Sequence, residues 1–384
     1  MPKGNVETGG GAASIRSIAT VVPETVLDQA DIRDLFARQP GRSGLGVRRI
    51  TSVFDAAAIE TRHTVLAELA GGGTAGGGQF LEPGTGQLRS PATGARNDLY
   101  RRTAGPLFVA AARQAVEAAP GIDATDVSHV ITVSCTGFYA PGPDIEIVRG
   151  LGLAPTTLRS HLGFLGCYAA FPALRAAADV CRADPDAVVL VVTVELCTLH
   201  LHTGDDTDTI LSSSLFADGG AAAVVTARPA PTGTPLLDLD AFSSTLIVEG
   251  TDDMAWTIGD HGFDMVLSSR IPRLVEAHLP QALKPLVGDG REGRGVAEID
   301  LWAVHPGGRS ILDRVQSALG LSEDQLGPSR EVLRRYGNMS SATVLFVLRE
   351  LFAAAGPVPQ RVGALAFGPG VSVESALLTL RTAS

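Results

Sequence analysis

The sequence predicts an α/β protein built from two related halves, and three observations carry that reading. Short apolar runs of strand length alternate with longer Ala- and Leu-rich runs of helical length. The order strand, reactive residue, Gly-X, helix, strand occurs twice: Cys135 to Gly166-Cys167 and His305 to Gly337-Asn338 cover nearly equal lengths of chain. A Pro- and Gly-rich joint, Ala227 to Pro235, separates the two occurrences, so the halves are expected at 1–230 and 231–384. Strand–helix–strand units of this kind imply a parallel or mixed sheet covered by helices.

Taken in order, Ser14 to Val22 reads as a strand, and Leu27 to Ala37 as a helix that can start at Asp28, a good N-cap. Arg48 and Arg49 lead into Thr51 to Glu60. Gly71 to Gly94 carries two glycine triplets and reads as a surface loop; no Lys-Ser/Thr follows, which argues against a phosphate loop. Leu99 to Ala119 is an amphipathic helix, and His129 to Ser134 a buried strand. Phe171 to Arg182 reads as a helix with Cys167 at its first turn, and Ala187 to Val194 as the strand that follows. In the second half Leu301 to Val304 is a strand, Met339 to Ala355 a helix and Val362 to Phe367 a strand.

Composition narrows the function. The 384 residues are 45% hydrophobic and 19% charged, an ordinary globular balance with ample core. The longest apolar runs are strand-sized, so no spanning helix is expected. The first residues, Met1 to Ala13, are polar and glycine-rich without an apolar signal core and read as a frayed arm of a cytoplasmic protein. A net charge of −10 disfavours nucleic acid or an acidic membrane as partner. An anionic ligand must then find a local basic patch, and that patch must be arginine, since the lysines are Lys3 and Lys284. Cys135, Cys167, Cys181 and Cys197 have neither disulfide-framework nor zinc-site spacing, so reduced thiols are expected.

Reactive groups in parallel α/β sheets gather at the carboxyl ends of strands and the N-termini of the helices that follow. Cys167, His305 and Asn338 all occupy such places. A thiol at a helix start meets free N–H groups and the positive end of the dipole, which favour thiolate. If the halves pack about a pseudo-twofold axis, the three residues converge on one pocket. A second cluster, His200, His202, Asp205, Asp206 and Asp208, has a histidine pair that would share one face of a strand. The aspartates read more simply as a solvated acidic turn, and no metal site is assigned.

Gly166-Cys167-Tyr168-Ala169-Ala170, Val304-His305-Pro306-Gly307-Gly308, Tyr336-Gly337-Asn338-Met339-Ser340-Ser341-Ala342 and Gly368-Pro369-Gly370 together resemble the chalcone synthase family, the type III polyketide synthases. The resemblance runs from about Ser14 to the C-terminus, and the segment Glu195 to His202 is similar to bacterial members. It implies a homodimer of the thiolase fold, two αβα halves in a five-layer αβαβα core. It also implies a catalytic Cys167, His305 and Asn338, with Phe216 as a gatekeeping aromatic. Malonyl-CoA and an acyl-CoA starter are the implied substrates, without metal or organic cofactor.

The family's chemistry places the starter on Cys167, paired as thiolate with a His305 imidazolium. Decarboxylation of the malonyl unit leaves an enolate stabilised by His305 and Asn338. Cys135, Thr136, Cys197, Ser340, Gly368, Pro369 and Gly370 are implied cavity residues. Ala140, before Pro141, takes the place from which a residue reaches into the partner's pocket. Trp256 stands where plant members carry glycine and Met265 where they carry phenylalanine, so the indole is expected to restrict or redirect the growing chain; the similarity to bacterial members points away from chalcone and toward pyrone, resorcinol or phenolic products. The basic residues that hold CoA phosphates in plant members fall here near Ile50, Val53 and Ala57, leaving Arg48, Arg49 or Arg309 as substitutes. A ketosynthase III-like enzyme, loaded from a carrier protein, and a cysteine thioester hydrolase are the alternative readings.

Overall fold

The computed structural model describes residues 13–73, 78–288 and 295–384. Of the expected N-terminal arm only Ala13 falls among them, and part of the second glycine triplet also lies outside the described residues.

The strands are β1 (Ser14–Val21), β2 (Thr25–Asp28), β3 (Thr61–Thr64), β4 (His129–Ser134), β5 (Leu158–Gly163), β6 (Val188–Leu196) and β7 (Asp218–Thr226). They continue with β8 (Pro235–Leu246), β9 (Met254–Gly259), β10 (Gly262–Leu267), β11 (Leu301–Val304), β12 (Gln360–Gly368) and β13 (Ser372–Thr382). The longer helices are α1 (Gln29–Ala37), α2 (Gly44–Ala56), α3 (Thr93–Glu117), α4 (Pro143–Leu151) and α5 (Ala170–Ala183). They continue with α6 (Thr207–Leu215), α7 (Ile271–Val287), α8 (Arg309–Leu319), α9 (Glu323–Tyr336) and α10 (Thr343–Ala353).

Nine strands form one mixed sheet in the order β11-β12-β13-β8-β1-β7-β6-β4-β5. The parallel pairs are β4–β5, β4–β6 and β11–β12, the pairs that strand–helix–strand repeats require. The two halves of the sheet meet through a short antiparallel contact, Ser14 with Asp238 and Ile15 with Leu237. β6 is buried along its whole length. Val189 and Val191 face a core shared with α5, α10 and strands from both halves of the sheet. Val188, Leu190, Val192 and Val194 face a second core under α1 and α3. A third core joins β11, β12 and β13 to α7, α8 and α9. A strand buried on both faces explains the unbroken Val/Leu run that marks this segment in the sequence.

Local chemistry accounts for the element ends. Asp28 caps α1 by accepting from the Ala30 and Asp31 amides, and Ser322 with Gln325 forms a capping box on α9. Arg48 and Arg49 do not lead into a later element; they lie inside α2, which Ser43 caps. The expected helix from Met339 is split: Ser340–Ala342 is a 3₁₀ turn, and α10 starts at Thr343. Cys167 is not in the first helical turn either, because α5 begins at Ala170. The chain reaches that helix through left-handed backbone at Phe164 (φ 60) and Gly166 (φ 83). These turns delay the helix and leave the Cys167 side chain facing the interior of the site.

Candidate active site

Cys167, His305 and Asn338 line one cavity of about 390 Å³. Cys167 stands on the turn between β5 and α5. Gly166 is required there, since a Cβ on it would approach Pro369 Cδ to 2.6 Å. Gly368 lies behind the same turn, where a Cβ would meet the Tyr168 ring at 2.5 Å. The Gly-Pro-Gly segment therefore backs the thiol turn: Pro369 lines the cavity, while Gly368 and Gly370 do not. The structure thus places these two glycines behind the thiol turn, outside the cavity lining. They are small because Tyr168 and the chain entering β13 need the room.

His305 follows β11, its amide donating to Leu365 O at 2.7 Å. Asn338 is held at both ends. Its Oδ1 accepts from the Ser340 amide at 2.8 Å, and its Nδ2 donates to Gly307 O at 3.3 Å. Nδ2 keeps a second N–H beyond that bond. The Cys167 Sγ lies 4.0 Å from Asn338 Oδ1. Ser340 adopts a left-handed φ of 47, a strained conformation that aims the Asn338–Ser340 segment at the cavity.

No hydrogen bond joins Cys167 to His305 in this structure. Neither ring nitrogen of His305 has a hydrogen-bond partner. Burial pulls its imidazole down to about 3. Burial likewise pushes the Cys167 thiol up to about 11, against smaller downward pulls from Ser340 and Asn338. Desolvation disfavours both charged forms, and no hydrogen bond to His305 offsets it.

Of the other expected residues, Cys135, Thr136, Cys197, Phe216, Trp256, Met265 and Ser340 all line the cavity. Trp256 and Met265 are cross-strand partners on the β9–β10 hairpin, so the two departures from the plant pattern form one wall. The Trp256 indole N–H donates to Cys135 O at 2.9 Å. Phe216 lines both this cavity and a smaller neighbouring one of about 130 Å³, as do Cys197, Trp256 and Met265. Ala140 lies elsewhere, in a surface cavity with Phe138, Pro141 and His161. Arg48, Arg49 and Arg309 do not line the main cavity. Arg49 reaches Asp205 O at 3.4 Å, and Arg309 pairs with Asp313 at 3.6 Å.

The His/Asp cluster has other duties. His200 Nδ1 accepts from the Phe263 amide, which leaves Nε2 to donate to Thr136 O at 2.8 Å. His202 donates to Phe263 O, Asp205 pairs with Arg42, Asp206 caps α6, and Asp208 accepts from the Leu267 amide. No group of three or more metal-ligating side chains occurs among the described residues.

Two supporting residues escaped the sequence reading. Glu195, fully buried, accepts from Cys135 N and Thr136 Oγ1, each at 2.9 Å, and from the Ser341 hydroxyl. It ties the wall made by β4 to the segment carrying Asn338. Burial raises its carboxyl, and the donors pull it back. Arg62 donates to Ser213 O at 2.7 Å and Phe216 O at 2.8 Å. Glu195 carried a partial signal, a charged residue ending an otherwise apolar strand; Arg62 carried none.

A cysteine, a histidine and an asparagine from the two repeats, around one apolar chamber, make the arrangement of a decarboxylating condensing enzyme. Residues 3–229 match the family described as chalcone and stilbene synthases, N-terminal domain, and residues 238–382 match its C-terminal domain. The chain belongs to the chalcone and stilbene synthase family. It is a type III polyketide synthase, an acyltransferase, with the thiolase-like α/β fold of those enzymes. It is 37% identical over 300 residues to bisdemethoxycurcumin synthase of Oryza sativa, covering 75% of this chain and 74% of that one. To the α-pyrone synthesis polyketide synthase-like Pks18 of Mycobacterium tuberculosis it is 32% identical, over 96% of this chain and 91% of the other. The crystal structure of PKS-I from the brown alga Ectocarpus siliculosus superposes with a TM-score of 0.88 at 30% identity, covering 98% and 100% of the two chains.

Proposed function

We propose that this type III polyketide synthase loads an acyl-CoA starter on Cys167 and extends it with malonyl-CoA. The observation that carries the reading is the convergence of Cys167, His305 and Asn338 on one largely apolar cavity. In the loading step His305 takes the thiol proton as Sγ attacks the thioester carbonyl, then returns it to the departing CoA sulfur. Burial favours the neutral form of the His305 imidazole, the form that can accept a proton. Malonyl-CoA then loses its carboxylate as CO₂, with the apolar face of Phe216 favouring loss of that charge. His305 and the free N–H of Asn338 stabilise the enolate oxygen; one such donor typically lowers a barrier by roughly 3–4 kcal/mol. The enolate carbon attacks the acyl thioester and Cys167 leaves as thiolate, ready for the next cycle.

Cyclisation then gives a pyrone, resorcinol or phenolic product, and Trp256, which lines the chamber, is placed to limit the growing chain. The three buried cores, with α5 and α10 between the two halves of the sheet, support a five-layer αβαβα arrangement of halves 1–230 and 231–384. The edge strand β5 is largely exposed, with Leu158 at 61%, and supports a homodimer in which Ala140 serves the partner's pocket. Four free cysteines support a cytoplasmic enzyme. The test is mass spectrometry of products from malonyl-CoA with a panel of acyl and aryl CoA starters. Products longer than the starter by two-carbon units, with CO₂ released, are expected; release of the free acid without extension would instead mean a thioester hydrolase.

A further inference from the structure

The hairpin β9–β10 stands outside the nine-stranded sheet, as a sheet of its own. Two strands alone hold their place weakly, and their outer edges leave backbone N–H and C=O groups unpaired. At Phe263 that edge is taken up by two histidines. Its amide donates to His200 Nδ1 and its carbonyl accepts from His202 Nε2, each at 3.0 Å. His200 also reaches further: its Nε2 donates at 2.8 Å to Thr136 O, on the turn after β4 that presents Cys135 to the main cavity. Its ring lies flat on Phe263, centroids 3.9 Å apart, and meets the Trp256 indole edge-on at 5.5 Å. Arg96, fully buried on α3, donates from Nη1 to Leu199 O at 2.6 Å and Leu201 O at 2.9 Å, fixing the backbone on both sides of His200. The two bonds of the ring need an acceptor and a donor at opposite ends, which a neutral imidazole offers and its cation does not. Burial keeps it neutral by pulling it down to about 3.

His200 does not line the main cavity, yet Trp256 and Met265, on the hairpin it holds, form one of that cavity's walls. The hairpin is tied to the β4 turn at neighbouring carbonyls, the Trp256 indole to Cys135 O and His200 to Thr136 O. We propose that His200 is a positioning residue for chain length: it locks the hairpin onto the β4 turn and so sets how far the Trp256–Met265 wall stands from Cys167. This rests on the reading that the cavity extends a CoA-bound starter. A residue that touches no substrate can control its length in this way, because a cavity wall is only as well placed as the shell behind it. Loss of the imidazole frees the Phe263 amide and the Thr136 carbonyl together, and leaves the indole with its own bond alone. The hairpin's tip is pinned separately. The Thr93 amide donates to Asp260 O and the Gly262 amide to Thr93 Oγ1, each at 2.9 Å, so the wall can retreat while the hairpin stays in place.

The experiment reads two quantities: the product mixture, by liquid chromatography with mass detection, and acyl loading on Cys167, by intact-protein mass spectrometry. It compares wild type, His200→Ala, His200→Gln, Trp256→Gly and the double variant His200→Ala with Trp256→Gly. His200→Ala is expected to load the starter within about twofold of wild type and to shift the product mixture toward longer chains, a split that general damage to the fold would not produce. His200→Gln, whose carboxamide can still donate toward Thr136 O, should fall between the two. In the Trp256→Gly background, His200→Ala should add less than about half of the shift it causes alone, because the wall it positions is already gone. An unchanged mixture in His200→Ala, a loss of loading in step with the loss of product, or a fully additive shift in the double variant overturns the assignment. If His200→Ala does not fold, His200→Gln and His200→Asn carry the test, since they can keep the Thr136 bond and the Phe263 bond respectively; wild-type mixtures in both overturn it. Failure of the substrate reading looks different: wild type itself would then give no extended product.

Discussion

Phe216 and Asn338 are joined by a parallel β-bridge: the Asn338 amide donates to Leu215 O and the Ala217 amide to Asn338 O, each at 2.9 Å. The aromatic wall and the carboxamide come from different halves of the chain, yet their backbones are fixed to each other. Arg62 completes the joint by gripping Phe216 O and Ser213 O from below. Burial pulls its guanidinium down to about 10, and Asp218 counteracts this.

Arg62→Ala removes two hydrogen bonds to otherwise buried carbonyls and leaves Asp218 without its nearby cation. We expect a loss on the order of 2–4 kcal/mol, read as a lower denaturation midpoint in urea at unchanged slope. Arg62→Lys should recover much of it, because both bonds are donated by the single nitrogen Nη1, and one ammonium reaching that place can make both. A stability within about 0.5 kcal/mol of wild type would mean the grip does not hold the bridge.

Trp256→Gly opens the wall formed with Met265 and removes the indole donor from Cys135 O. Acyl loading on Cys167 should persist, while products shift toward longer chains or bulkier starters. Liquid chromatography with mass detection reads the shift, and an unchanged product profile would remove Trp256 from the cavity's control of length.

The strands and the reactive residues were legible because they depend on short-range pattern. His129 to Ser134 and Leu301 to Val304 appear with the bounds the apolar runs imply. Helix starts were not legible where left-handed backbone intervenes, as at Gly166 before Cys167 and at Ser340 after Asn338. Such turns are set by tertiary contacts, Pro369 against Gly166 among them, that no local propensity records. The same holds for Arg62 and Glu195. Each acts on residues far along the chain, and only the folded sheet brings their partners within reach. The depth of burial that opposes the thiolate was not legible either: a helix dipole can be inferred from sequence, but the desolvation acting on Cys167 cannot.

Burial sets a pH signature for the thiol. With Cys167 pushed up to about 11 and His305 pulled down to about 3, neither group changes charge near neutrality in the free enzyme. A raised thiol value means that the reactive thiolate appears only as pH climbs. Inactivation by iodoacetamide should therefore keep rising from about pH 7 through about pH 10, with no plateau at about pH 6–7. A rate already level across about pH 6–8 would mean that a thiolate–imidazolium pair exists before substrate binds.

The central claim, that Cys167 carries the growing chain, is tested most directly by intact-protein mass spectrometry after incubation with an acyl-CoA starter in the absence of malonyl-CoA. Wild type is expected to gain the mass of one acyl group, mapped by peptide analysis to Cys167, and Cys167→Ala to gain none. Acylation of Cys167→Ala at Cys135 or Cys197 to the same extent as wild type would contradict the account.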